Sequence, residues 1–389
     1  MKLLRTLSLR SLLLLVAGAA AAVAAGTVAV AARGGGGPTP PPQPLASALH
    51  QAASAPEPEG ITARVSFTNK LFPSGALLGQ AGSALMTGAS GRLWLTNDGR
   101  GRLELQSDAG DAQIVWNQTD LTIYDASSNT AYHAKLPAAT ASATDKATPP
   151  TLTEIEDFLT RLGEHATVSA ANPGNVAGQP AYTVRLSPKH DGGLLGSIQL
   201  AWDAEHGVPL RAAVYAQGST SPVLELTATD ISYAAVPASD VDVRPPAGAK
   251  TVELNAPSNK DHEQGGGAVA GIGAVQAAAG FTVTAPESLV GLPRKDVRLI
   301  GNGDSKAAIA VYGEGLGAIV VTERKADSAG TPASGALSAL PAVSLDGITG
   351  HELATQLGTI LEWRSGGVDN ILAGSLPPAA AEAAARVLR

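Results

Sequence analysis

The stretch Ser197–Lys250 constrains the fold more than any other part of the chain. It reads SIQLAWDAEHGVPLRAAVYAQGSTSPVLELTATDISYAAVPASDVDVRPPAGAK. Ile198, Leu200 and Trp202 fall on one side of an extended segment, with Gln199 and Asp203 on the other. Leu210, Ala212, Val214 and Ala216 oppose Arg211, Tyr215 and Gln217; Leu224, Leu226 and Ala228 oppose Glu225, Thr227 and Thr229. A period of two is the mark of a half-buried strand. The connections DAEHGV and QGSTSP are rich in turn formers. An antiparallel sheet with one wet face and one apolar face follows, and the apolar face must cover something.

The rest of the chain extends that pattern. Leu45–Ser54 has helical spacing, and Ile61–Asn69 alternates as a strand with Ile61, Ala63, Val65 and Phe67 on one face. Leu71–Gly88 is weakly patterned and reads as a mobile apolar loop. Between Gly91 and Leu136, strands near Leu93–Thr96, Arg102–Gln106, Ala112–Asn117, Leu121–Asp125 and Thr130–Leu136 alternate with the breakers NDGRG, SDAGD, NQTD and DASSN. Pro137–Pro150 reads as a flexible loop. Leu152–Leu162 is a helix with the apolar stripe Leu152, Ile155, Phe158, Leu159 and Leu162, capped at Thr153. Strands follow at Ala166–Ala170 and Ala181–Ser187. Ser258–Gly280 is low in complexity and reads as a linker. Beyond it, strands at Ala307–Tyr312, Ala318–Glu323, within Ile348–Trp363 and at Val368–Leu372, and a helix over Pro377–Leu388 capped at Ser375, predict a smaller α+β unit. The expected division is 1–44 for targeting and tether, 45–250 for the main domain, 251–280 for the linker and 281–389 for the small domain.

Composition narrows the function. The formal net charge is −7 and there is no cysteine. An acidic chain lacks the electrostatic footprint of a nucleic-acid binder. Without cysteine there are no disulfides, no Cys-ligated zinc, no Cys nucleophile and no lipidated Cys. Lys2, Arg5 and Arg10 precede the uncharged, mostly apolar run Ser11–Ala32. As a helix that run is about 33 Å long, enough to span a bilayer. A cleaved signal peptide and a retained anchor both fit, and either places the rest outside the cytoplasmic membrane. Arg33–Pro44, RGGGGPTPPPQP, reads as a spacer.

In order, GRLWLTNDGRGRLEL, LTIYDASSNTAYHAKLP, AYTVRLSPK and LAWDAEHGVPLRAAVY, set within the succession helix, strand, loop, meander, helix and strands, resemble the LolA-like superfamily, which includes the lipoprotein carrier LolA and the MucB/RseB regulators of envelope stress. The resemblance covers roughly 45–250. VYGEGLGAIVVTE and NILAGSLPPAAAEAAAR are similar to the second domain of the MucB/RseB members. The resemblance implies a mostly β, α+β chain: an open antiparallel half-barrel with a helical lid, plus a smaller C-terminal α+β domain. It also implies a function without catalysis, namely holding a lipid or the acyl chain of a lipoprotein. The alternative it offers is a regulator that binds a membrane protein such as an anti-sigma factor. No cofactor is implied.

For the candidate ligand-binding residues Trp94, Trp116, Tyr124, Leu200, Trp202 and Val214, two readings stand: they line an apolar cavity, or they are ordinary core and rim residues of the sheet. Leu49, Ile155, Phe158 and Leu159 would form the lid. The resemblance implies for Arg102 the part of an arginine that helps hold the lid shut in LolA; as a residue of an alternating strand it reads first as a solvated arginine. Glu154, Glu156 and Asp157 are explained by a first helical turn facing the helix dipole. His351-Glu352 begins an HExxH pattern, but Thr355 replaces the second histidine. His133, His165, His190 and His206 have no ligand spacing, and Ser83, Ser90 and Ser187 lack a G-x-S-x-G frame.

Overall fold

The computed structural model describes residues 37–71, 84–136, 149–189, 193–254, 269–301, 303, 306–326 and 340–389. The targeting run, most of the expected loops at Leu71–Gly88 and Pro137–Pro150, Ser83 and His190 lie outside them. The chain divides into two compact units, Met1–Ser187 with Gly196–Ala256, and Pro188–Leu195 with Pro257–Arg389.

The first unit runs α1 (Leu45–Ser54), β1 (Gly60–Asn69), α2 (Ala84–Thr87), β2 (Ala89–Thr96), β3 (Gly101–Ser107), β4 (Gly110–Trp116), β5 (Asp120–Asp125), β6 (Thr130–Lys135), α3 (Leu152–His165), β7 (Ala166–Val168), β8 (Asn172–Val176), β9 (Gln179–Pro188), β10 (Leu195–Asp203), β11 (Pro209–Ala216), β12 (Pro222–Ser232), α4 (Ala238–Val241) and β13 (Lys250–Leu254). Its sheet has the order β13-β6-β5-β4-β3-β2-β1-β12-β11-β10-β9-β7, with β8 attached to β9. The first strand therefore sits mid-sheet, flanked by β2 and by β12.

Register carries one apolar face across the sheet. Phe67 faces Leu226 and Val65 faces Ala228 on one side of β1; Ala63 faces Leu93 on the other, Leu93 faces Leu103, and Leu103 faces Ile114. A bulge between Arg64 and Val65 shifts the β1–β12 pairing, and bulges bend a strand and sharpen its twist. The sheet curls strongly. From β4 to β10 is six inter-strand steps, about 29 Å if flat, yet Ile114 of β4 and Ile198 of β10 line one cavity.

Helices cover part of the concave side. Ala48 of α1 packs with Tyr182, Val184 and Trp202, joined by Leu45, Leu49 and Leu200. Gly207, at φ +66°, lets the β10–β11 turn approach the Ala52 carbonyl so closely that a Cβ would collide with it. Gln51 Nε2 donates to the Ala204 carbonyl at 3.1 Å. Helix α3 packs against α1 and buries Ile155.

Several expectations change here. The cap of α3 is Thr151 rather than Thr153, because T-x-x-E spacing places a capping box two residues earlier: Glu154 N–H donates to Thr151 Oγ1 at 3.3 Å, and Thr151 N–H donates to Glu154 Oε2 at 2.8 Å. The spacer is held along its second half, where Asn175 Nδ2 donates to Pro38 O at 2.9 Å and Tyr182 Oη to Pro41 O at 2.6 Å. The span read as the linker 251–280 opens as β13, paired in parallel with β6, and later holds a helix over Ile272–Ala279 whose Val275 and Ala279 are buried.

That helix is α5, the first helix among the second unit's described residues. It is followed by β14 (Ser288–Leu289), β15 (Leu292–Ile300), β16 (Ala307–Tyr312), β17 (Ile319–Lys325), β18 (Ala342–Leu345), β19 (Ile348–Ala354), β20 (Thr359–Ser365), β21 (Val368–Gly374) and α6 (Pro378–Val387). The order β14-β15-β16-β17-β21-β20-β19-β18 joins two meanders through the β17–β21 pair. One face packs Tyr312, Ile319, Val321, Leu361, Trp363 and Leu372 against the alanines of α6 and against α5. Helix α6 starts after Pro377, not Ser375, since Pro378 fits a first helical position. His351 and Glu352 lie on β19, where neighbours point to opposite faces, so the partial HExxH pattern presents no shared helical face.

Candidate functional site

The concave side of the first unit's sheet encloses a cavity of about 340 Å³. Ile61, Ala63, Val65 and Phe67 of β1 form its floor, with Leu93 and Leu95 of β2, Leu103 and Leu105 of β3, and Ile114 of β4 to one side. To the other side stand Leu224, Leu226, Ala228 and Ile231 of β12, Leu210, Ala212 and Val214 of β11, and Ile198 of β10; Leu85 of α2 reaches in from one end. The alternation of seven strands thus converges on a single apolar space, in the size range of small-molecule sites.

Arg211 and Glu225 border this space but do not make it polar. Register puts Arg211 opposite Thr227 and Ala213 opposite Glu225, on the face away from Leu210, Ala212 and Val214. On that outer face Arg211 Nε donates to Glu225 Oε1 at 2.6 Å, Nη1 to Gln199 Oε1 at 2.8 Å and Nη2 to Tyr215 Oη at 2.6 Å. Burial works against the guanidinium's charge, but Tyr215 and Glu225 outweigh it and hold the group above its ordinary pKa.

A second polar cluster shapes the rim. Asp203 is fully buried. It accepts from Glu205 N–H at 2.7 Å, His206 N–H at 2.8 Å and Tyr233 Oη at 2.6 Å. The His206 ring stacks on Tyr233 at 3.9 Å between centroids. Burial, reinforced by Asp203, pushes the Tyr233 phenol upward, so it remains a donor. Together these bonds fix the turn that presents Val208 to the cavity and Gly207 to α1. Its sequence signal was the Asp at the head of DAEHG, an Asx-turn former.

The predicted site residues separate by face. Val214 lines the cavity. Trp116 packs against the same apolar cluster. Leu200 and Trp202 share the concave side but lie beneath α1 with Leu49. Trp94 is on the outer face, between Arg92 at 5.5 Å and Arg102 at 4.9 Å. Tyr124 is also outward, donating to Asn129 Oδ1 at 3.0 Å. Arg102 bonds Glu104 and donates to the Asp240 carbonyl of α4, on the face away from the cavity. Of the α3 residues, Ile155 is buried, Leu159 half-buried and Phe158 53% exposed. The main wall, Ile61 to Phe67 and Leu93 to Leu105, was visible as alternation, but nothing in the alternation says which face curls inward. Among the described residues no three His, Asp or Glu side chains gather as metal ligands.

No family model matches the sequence, and no curated protein matches it. Among solved structures, the chain is similar to MucB in the Pseudomonas aeruginosa MucA/MucB complex, at 14% identity and TM-score 0.43, over 88% of this chain and 96% of that one. It is also similar to a putative outer membrane lipoprotein-sorting protein domain from Vibrio parahaemolyticus, at 13% identity and TM-score 0.23, over 51% of this chain and 96% of that one. The fold rests on the strand order and register given above.

Proposed function

We propose that this protein is a non-enzymatic, extracytoplasmic binding protein that holds a lipid, or the acyl chain of a lipoprotein, on the concave side of its half-barrel. The observation that carries this reading is the 340 Å³ cavity walled by apolar side chains from seven strands. A chain of ten methylenes entering such a space gains about 8 kcal/mol from burial, part of which offsets the entropy of association. The basic and then apolar N-terminal stretch supports a place outside the cytoplasmic membrane. Among the described residues, no helix is long and apolar enough to cross a bilayer. Delipidated protein should take up a fluorescent fatty acid or a triacylated peptide with saturation at one equivalent; no uptake of either overturns the reading.

A second reading is favoured by the second unit, which has its own core. In it, the chain holds a single-pass membrane partner such as an anti-sigma factor and responds to envelope lipids. A membrane pull-down with the full chain would return that partner, and an empty pull-down removes this reading while leaving the carrier intact.

A further inference from the structure

The first unit has one corner without a formal charge. Residues 37–56 and 166–184 hold no Asp, Glu, Lys or Arg, in a chain of which these make up 16%. The fold brings the two stretches together. Leu45, Ala48, Leu49 and Ala52 of α1 pack with Val168, Ala171, Tyr182 and Val184. Ahead of α1 the spacer is strapped to the same strands: Asn175 Nδ2 of β8 donates to Pro38 O, Tyr182 Oη of β9 donates to Pro41 O, and Pro40 between them is buried. At Gly37 a Cβ would collide with the Asn175 side chain. Successive prolines stiffen such a stretch, so the strap is a fixed part of the corner. Thr39 of the strap and Asn172, Pro173 and Gly178 at β8 and its turn are exposed on it.

The strap also sets a distance. The uncharged run 11–32 ends shortly before Gly37, and the few residues of chain between them reach about 18 Å at most. We infer that the run is a retained membrane anchor and that the charge-free corner lies on the surface of the bilayer it enters. The inference rests on the extracytoplasmic reading above and is independent of what the cavity holds. A charged group pressed toward an apolar phase loses its water and needs a partner; a corner of Ala, Pro, Gly, Asn, Gln and Thr carries no such cost. The chain as a whole has net charge −7, so anionic headgroups hold its acidic surfaces off and leave the neutral corner as the side of approach. The corner adjoins the cavity through β10: Tyr182 packs on Trp202 at 6.0 Å between ring centroids, and Ile198 of the same strand as Trp202 is a wall residue. The β10 end of the cavity is therefore the end nearest the bilayer.

The chain has no cysteine, so single-cysteine labels supply the test. Full-length protein is placed in phosphatidylcholine nanodiscs that carry a nitroxide on the headgroup. A fluorophore sits at Ala177→Cys, in the β8–β9 turn, or at Ser127→Cys, in the β5–β6 turn toward the other end of the sheet order. The label at position 177 should lose most of its fluorescence, and the label at position 127 should keep its own. Asn172→Cys reads the same corner should the turn variant fail to fold. Adding Val176→Glu to the Asn172 variant should restore much of the lost fluorescence, and more of it when phosphatidylglycerol is added to the disc. Equal quenching at the two positions, or none at position 177, overturns the proposal. So does a disulfide between two copies of Ala177→Cys, which would mean that a second chain covers the corner, or a mass showing that protein purified from its own membranes has lost residues 11–32. Fatty-acid uptake is measured on the same samples, and its failure removes the ligand reading while leaving the corner on the bilayer.

Discussion

The two units are built from the same pattern and end differently. Each is a mostly antiparallel sheet with one apolar face and helical packing on it. In the second unit, Tyr312, Leu361, Trp363 and Leu372 project from the sheet and meet Ala381, Ala384 and Ala385, small residues that let α6 come close. Large on one layer meets small on the other, and the space is filled. In the first unit, α1 sits over Trp202, Tyr182 and Val184, and among the described residues no helix of comparable length lies across the run from β4 to β11. Ala63, Ala212 and Ala228 then leave room where the second unit has rings. Two-residue periodicity thus makes a half-apolar sheet in both, and the size of the opposing side chains decides between a packed core and a hollow one.

The sharpest way to break this comparison is to delete a large side chain from each. Trp363, 2% exposed, should cost the second unit about 3–5 kcal/mol as Trp363→Ala. Leu93→Ala, in a wall that already borders open space, should cost the ligand-free first unit about 1 kcal/mol. Hydrogen exchange of each unit's amides reads both, and comparable losses would refute a hollow first unit.

The next effect in size is electrostatic. Glu323 is 3% exposed, and burial pushes its pKa up to about 7, against a bond from Thr284 N–H that lowers it. A carboxyl raised on folding stabilises when protonated. Its contribution, on the order of 3 kcal/mol, is fully present below about pH 4.5 and is lost as pH rises through about 7. The second unit should therefore be more resistant to urea at pH 5 than at pH 8, and Glu323→Gln should flatten the difference. An unchanged pH profile in the variant removes the argument.

Filling the cavity should make the first unit resemble the second. Ala63→Phe places a ring on its floor and should weaken acyl-chain uptake about tenfold or more, about 1.4 kcal/mol, with little change in circular dichroism. Undiminished uptake would mean that the ligand sits elsewhere. The smallest effect belongs to the helical cover: Thr151→Ala removes the capping box of α3 and should cost that helix about 1 kcal/mol, seen as faster amide exchange in its first turn only.

Much of this architecture was legible in the sequence, and the exceptions share a cause. The meander from β3 to β6 was readable because each turn carries strong breakers. β8 was not: NPGNV has no alternation, and its Pro173 and Gly174 argue against a strand. They are tolerated because β8 pairs only with β9. α5 was hidden by composition, since GIGAVQAAAG looks like a linker, yet small residues suit a helix lying close on a sheet, ended by Gly280 at φ +79°. At the site, the apolar walls could be read but not their direction. Trp94, Tyr124 and Arg102 have strand alternation as regular as that of Val214, and curl, a property of the whole sheet, put them outside.

The position of β1 has a kinetic consequence. Val65 pairs with Ala228, about 160 residues away, so the half-barrel cannot close until nearly all of the first unit has been synthesised. Closing so long a loop is an entropic debt paid late, and proteins dominated by distant pairings fold slowly. In the interval one edge of β1 stays unzipped and available to other strands.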